Sequence, residues 1–216
     1  MEISPEQYKS IAVTYVLSGG IIAAFLGPTS ANYTVSVIGK KFVGSFACMA
    51  LIGVLNQLVV GMVSFPTPPA FSKAEQLNHR PLSVIISSPL FILSCSIATI
   101  AHTVMVMVMS NCALSMQGDY SFTTTTIVME LHFFSMFAPG FFTGVLIAKH
   151  GALNVSIIGA ITFGVSAVAF AIGTDVWNYY SGMILLGVAW NFSFSAGTVM
   201  LTSSYLVHYL SDICIF

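Results

Sequence analysis

Long apolar runs separated by short polar turns dominate the chain. A membrane-spanning helix needs about 20 mainly apolar residues, because each adds about 1.5 Å against a hydrocarbon core of about 30 Å. Six runs meet that length: Ser10 to Ser30, Phe42 to Phe65, Leu82 to Met109, Phe122 to Ala148, Leu153 to Gly173 and Trp177 to Leu201. The pattern predicts an all-α fold, a polytopic integral membrane bundle of six transmembrane helices. The connections are short except from Pro66 to Pro81, which carries Lys73, Glu75, His79 and Arg80 and reads as the one linker. It divides the chain into two helices and then four. At the other end, Ser4-Pro5-Glu6-Gln7 reads as a helix start, with Ser as N-cap, Pro at the first helical position and Gln at the third.

One stretch, Glu130 to Gly151, holds the exceptions to the apolar pattern. It contains an acid and an imidazole (Glu130, His132), a proline (Pro139), a Gly140-xxx-Gly144 pair and a closing basic turn, Lys149-His150-Gly151. Ionisable groups inside a spanning helix are costly and default to a functional hypothesis. Thr123, Thr126 and Glu130 recur at three- and four-residue spacing and form one polar stripe, which is expected to face a bundle interior or a water-filled path. There Glu130 could bind a proton or a cationic solute group; the alternative is a carboxyl kept neutral near the outer end of its span. His132 stands about 200° around the helix from Glu130, so the two cannot share a face and His132 is expected against a neighbouring helix. His102 lies on a face with Cys95 and Thr99, and Asn191 precedes Ser195 by one turn. Each is a candidate for the solute or proton pathway, and each has a plainer reading as a hydrogen bond between helices.

Composition agrees with lipid as the natural solvent: 56% hydrophobic residues, 6% charged and a mean hydropathy of +0.93, against roughly 25% charged in soluble domains. A formal charge of −1 gives no basic face for nucleic acid. The four cysteines are far apart without CxxC pairing, and suggest neither a disulfide framework nor a zinc site. No cofactor is expected. The basic residues set an orientation: with the N-terminus cytoplasmic, Lys9, Lys73, Arg80 and Lys149 lie inside and Lys40 and Lys41 outside. After six spans the C-terminus is also cytoplasmic. Trp177, Tyr179 and Tyr180 would form an interfacial belt at the outer start of the last helix. Small residues at helical spacing (Gly20 with Ala24, Ala23 with Gly27, Gly140 with Gly144) are expected to let backbones approach closely. Pro28 and Pro139 are expected to kink their helices.

Two segments resemble motifs of the major facilitator superfamily. Gly144-Val-Leu146-Ile-Ala-Lys149-His-Gly151 resembles its G-x-L-x-D-R-x-G loop motif, with Ala148 in place of the acid, as in the second copy of that motif. Ala23-xxx-Gly27-Pro28-xx-Ala31 looks like a degenerate form of the fifth-helix G-xxx-G-P-xx-G-G motif of exchangers in that superfamily. The phrases Gly19 to Pro28, His132 to Gly144 and Leu186 to Phe192 are similar to a bacterial-type branch of these transporters. The resemblance covers residues 10 to 205. It implies that the six spans are helices five to ten of a twelve-helix transporter. Residues 1–65 would then close the N-terminal half, 66–81 would join the halves in the cytoplasm, 82–205 would open the C-terminal half, and 206–216 match nothing. Gly144, Leu146, Lys149, Gly151, Gly27 and Pro28 would then serve conformational switching.

The expected function is therefore secondary active transport of a small solute, with protons as the candidate coupling ion, by a truncated form of such a transporter. The expected partners are the lipid bilayer and that solute. A second expectation, a non-transporting fragment that assembles with or regulates a full-length membrane partner, stays open. An intramembrane enzyme has no support, since no HExxH, paired aspartates or G-x-S-x-G falls in any span.

Overall fold

A computed structural model describes residues 9–64 and 82–206, with side chains from 19 and up to 204. The expected N-terminal cap (Ser4 to Gln7), the linker Pro66 to Pro81 and the tail beyond Leu206 lie outside the described residues. Within them the chain forms α1 (Lys9–Thr34), α2 (Val43–Gly61), α3 (Leu82–Ile86), α4 (Pro89–Ser115), α5 (Phe122–Phe137), α6 (Gly140–His150), α7 (Ala152–Ile172) and α8 (Val176–Leu206). Five stretches are long and apolar enough to cross a membrane: Val43–Gly61, Pro89–Ser115, Phe122–His150, Ala152–Ile172 and Val176–Ser204. Helix α1, with 26 residues, covers the remaining predicted span and reaches about 39 Å at 1.5 Å per residue.

Local chemistry explains where two spans depart from expectation. The run from Leu82 to Met109 is not one helix: a short α3 ends at Ile86, and α4 begins at Pro89 and continues to Ser115. Ser88 caps α4 by accepting a hydrogen bond from the Phe91 amide at 3.2 Å, with Pro89 at the first helical position, where its missing N–H costs nothing. The run from Phe122 to Ala148 is one span in two helices, interrupted between Phe137 and Gly140 at Pro139. Pro28, by contrast, lies inside α1, which continues to Thr34. The turn from α6 into α7 is a single residue, Gly151, whose φ of 83° is open to glycine and strained for other residues. Lys149 and His150 occupy the last turn of α6, where cations meet the negative end of the helix.

Helix α8 is the hub, packed against α4, α5, α6 and α7; α1 pairs with α5 and with α2. The core lies around α8, with Met183 and Leu186 of that helix meeting Met105, Cys112 and Met116 of α4 and its C-terminal turn, and Val128 and Met136 of α5. Close approach, not hydrophobic collapse, holds helices together in lipid. At Gly187 a Cβ would fall 2.0 Å from the Ser135 hydroxyl and 2.6 Å from the His132 carbonyl, so α5 and α8 meet at backbone distance. Of the small-residue pairs expected from sequence, Gly20 packs on Phe137 and Ala24 is buried. Gly27 and Gly144 face open space, so they do not make the expected backbone contacts among the described residues. The aromatic belt is also partial: Trp177 is exposed at the start of α8, but Tyr179 turns into the core and its hydroxyl meets that of Ser115 at 2.7 Å.

Candidate functional site

Glu130 sits on the seam between α1 and α5. Among the described residues it is the one acid inside a helix, since Asp119 and Asp175 lie in the turns outside α4–α5 and α7–α8. The Thr29 hydroxyl of α1 donates a hydrogen bond to Glu130 Oε1. Further along the same seam, the Phe25 and Phe134 rings pack at 5.8 Å and Gly20 lies against Phe137. As numbers fall on α1 they rise on α5, so the two helices run antiparallel. The carboxyl is half-buried and its described hydroxyl partner is neutral, so this contact neutralises no charge.

The expected separation of Glu130 and His132 holds. His132 points the other way, is fully buried, and lies with Nδ1 2.8 Å from the Met183 carbonyl of α8. A carbonyl only accepts, so the proton resides on Nδ1, and Nε2 is buried with no partner among the described residues. The residue packs against a neighbouring helix, as its place on the helix demanded.

Asn191 of α8 spans the break in the adjacent span. Its Nδ2 donates to the Met136 carbonyl at 2.7 Å, and its Oδ1 accepts from the Thr143 hydroxyl at 2.6 Å, an oxygen that also lies 2.8 Å from the Pro139 carbonyl. Pro139 brings no N–H and α6 restarts only at Gly140, so carbonyls in the last turn of α5 need donors from elsewhere. Asn191 supplies one and ties both sides of the break to the hub helix. Beside the break opens a cleft of about 310 Å³, lined almost wholly by apolar side chains that include Phe134, Pro139, Phe142 and Ile184. None of Glu130, His132, His102 or Asn191 lines it.

His102 of α4 is exposed, and its neighbours across the helix interface are aromatic rings. Its ring is tilted against two aromatic rings of α8, Trp190 at 6.3 Å and Phe194 at 6.2 Å, which are themselves stacked at 4.8 Å and 13°. The Trp190 indole N–H is buried without an acceptor among the described residues, an arrangement that costs on the order of 1–3 kcal/mol. The four candidates thus fall at three places: Glu130 on the α1–α5 seam, His132 and Asn191 between α5–α6 and α8, and His102 between α4 and α8. Thr29, Thr143, Trp190 and Phe194 complete these places without having been singled out from sequence. Trp190 and Phe194 stand four residues apart, a spacing that places them on one helix face; nothing along the chain pairs Thr29 with a residue 101 positions away.

The architecture, a helical bundle of apolar spans with ionisable and amide side chains turned to its seams, is that of a multi-pass integral membrane protein. A sequence profile of the Major Facilitator Superfamily matches residues 1–211, and the chain belongs to that family. It is 33% identical over 199 residues to the riboflavin transporter RfnT of Brucella anthropi, covering 91% of this chain and 50% of that protein. It is 22% identical to the uncharacterized MFS-type transporter YdeG of Bacillus subtilis, covering 94% of this chain and 51% of that protein. It is 21% identical to YddS of the same organism, another uncharacterized MFS-type transporter, covering 94% of this chain and 50% of that protein. The chain spans about half the length of the curated relatives it matches. Comparison with solved structures gives no match.

Proposed function

We propose that this chain forms the middle of a secondary transporter that moves a small solute by alternating access, with Glu130 as its proton-responsive group. In this reading α1 and α2 close the N-terminal half, residues 66–81 join the halves on the cytoplasmic side, α3 to α8 belong to the C-terminal half, and both termini are cytoplasmic. The observation that carries it is the Thr29–Glu130 hydrogen bond, which lies on the seam where the two halves would rock. As a carboxylate, Glu130 accepts from Thr29; once protonated it can also donate, so a proton changes the bonding at the seam itself. Gly151 and Lys149 then hold the α6–α7 turn rigid during rocking, while Gly27, Pro28, Gly144 and Leu146 belong to the moving surfaces. The name of the Brucella relative makes riboflavin the first solute to test.

The test is uptake of labelled riboflavin and of a panel of small solutes into vesicles carrying the protein, with an imposed proton gradient. Wild type is expected to respond to that gradient, and Glu130→Gln to lose the response while keeping gradient-independent exchange. Uptake by Glu130→Gln with an unchanged pH profile removes Glu130 from the coupling.

A second reading is favoured by α2, whose buried residues are Gly44 and Ser45 near its start while most of its length is apolar and exposed. That bare helix suits a membrane-protein partner, and the chain would then assemble with or regulate a longer transporter. Co-purification with such a transporter, with no uptake by the chain alone, is the result that selects this reading.

A further inference from the structure

The middle of the bundle carries an arrangement that the seam does not use. His102 is the central residue of the apolar span Pro89–Ser115, and Trp190 is the central residue of the span Val176–Ser204. Both therefore sit near the midplane of a bilayer that these spans cross. An imidazole at that depth is costly against hydrocarbon, and polar groups there turn to the bundle interior or to a water-filled path. This imidazole is exposed, and its aromatic neighbours come from the facing helix. Just below it, Gly197 draws α8 against α4, since a Cβ there would lie 3.2 Å from the Ser94 carbonyl and the Ala98 amide. That close approach holds the Trp190–Phe194 stack beside His102.

We propose, resting on the transport reading above, that His102, Trp190 and Phe194 form the recognition site for a flat heteroaromatic solute. Stacked indole and phenyl rings offer a π surface that accepts planar rings with little regard to their identity. His102 at the rim, able to donate at one nitrogen and accept at the other, reads the polar edge of such a ring. Midplane depth, a stacking platform and an adjustable polar rim together are what a transporter needs in order to hold a flat ring between its two access states.

The chain has two tryptophans, and Trp177 lies exposed at the start of α8. In these 216 residues carrying Trp177→Phe, Trp190 is the one tryptophan left and its emission reports the site. Riboflavin, and lumichrome as a flat ring without the sugar-alcohol chain, are expected to quench it saturably, whereas ribitol is not. Phe194→Leu and His102→Ala are each expected to weaken Kd about tenfold or more, the scale of one lost stacking partner. Trp190→Tyr, followed by the fluorescence of riboflavin itself, is expected to keep binding, and so separates lost stacking from lost folding. Absence of saturable quenching by either ring, or unchanged affinity in both Phe194→Leu and His102→Ala, overturns the site. Vesicle uptake of ring-free solutes with no ring binding leaves the transport reading standing and removes the site. Ring binding without uptake of any solute does the reverse.

Discussion

At the scale of single residues, Asn191 shows how a polar side chain in lipid is turned to structure. Its amide and carbonyl are both engaged, one with a backbone carbonyl beside a proline break and one with a hydroxyl. Asn191→Leu is nearly isosteric but leaves the Met136 carbonyl without its side-chain donor in a dry interior, while the Thr143 hydroxyl keeps the Pro139 carbonyl as acceptor. The expected loss is about 1–2 kcal/mol, near the upper end of measured interhelical hydrogen bonds, read as a lower thermal midpoint in detergent. Asn191→Asp should do worse, since it also removes the donor to Met136 and brings a charge. The angular arithmetic of one helix was legible without coordinates: Glu130 and His132, two residues apart, point to different helices as 3.6 residues per turn require. Their partners were not legible. A hydroxyl of α1 and a carbonyl of α8 are chosen by packing, and packing leaves no periodic mark on the sequence.

At the scale of elements, apolar length alone placed every span to within a few residues at most ends, because the bilayer imposes one length on all of them. Two exceptions trace to prolines. Pro89, preceded by Ser88, starts a helix where the apolar run had already begun, and Pro139 divides a run that hydropathy reads as continuous. The close contacts were harder to read. Gly144 fits a small-xxx-small pattern and faces open space, whereas Gly187, which belongs to no such expected pair, lies against α5. A glycine spacing says that a backbone can approach, not that a partner is there. Gly187→Ala should therefore push α5 from α8 at the Ser135 hydroxyl and the His132 carbonyl, costing about 1–3 kcal/mol as overpacking does. Gly144→Ala, with nothing within 4 Å of the added carbon, should be neutral or slightly stabilising through its better helix propensity. Thermal unfolding of the two variants side by side tests the contrast.

At the scale of the whole molecule, α8 gathers four other helices while α1 joins the bundle chiefly through α5. Composition made the membrane legible and one loop motif and one helix motif made the family legible, but the seam and the hub emerge only when distant helices are set side by side. The stapled break at Pro139 carries a further consequence, for the order in which the protein is made. The span Phe122–His150 holds Glu130, His132 and a proline interruption, and enters the membrane before α8 exists to supply Met183 and Asn191. Until α8 is synthesised, His132 and the carbonyl of Met136 await their partners, so the half-made bundle is a natural target for membrane quality control. Chains truncated after Ile172 should therefore be degraded faster in pulse-chase than chains ending after Ser204, and Asn191→Leu should shift the longer chain toward the fate of the shorter. Equal lifetimes would mean that the broken span finds interim partners of its own.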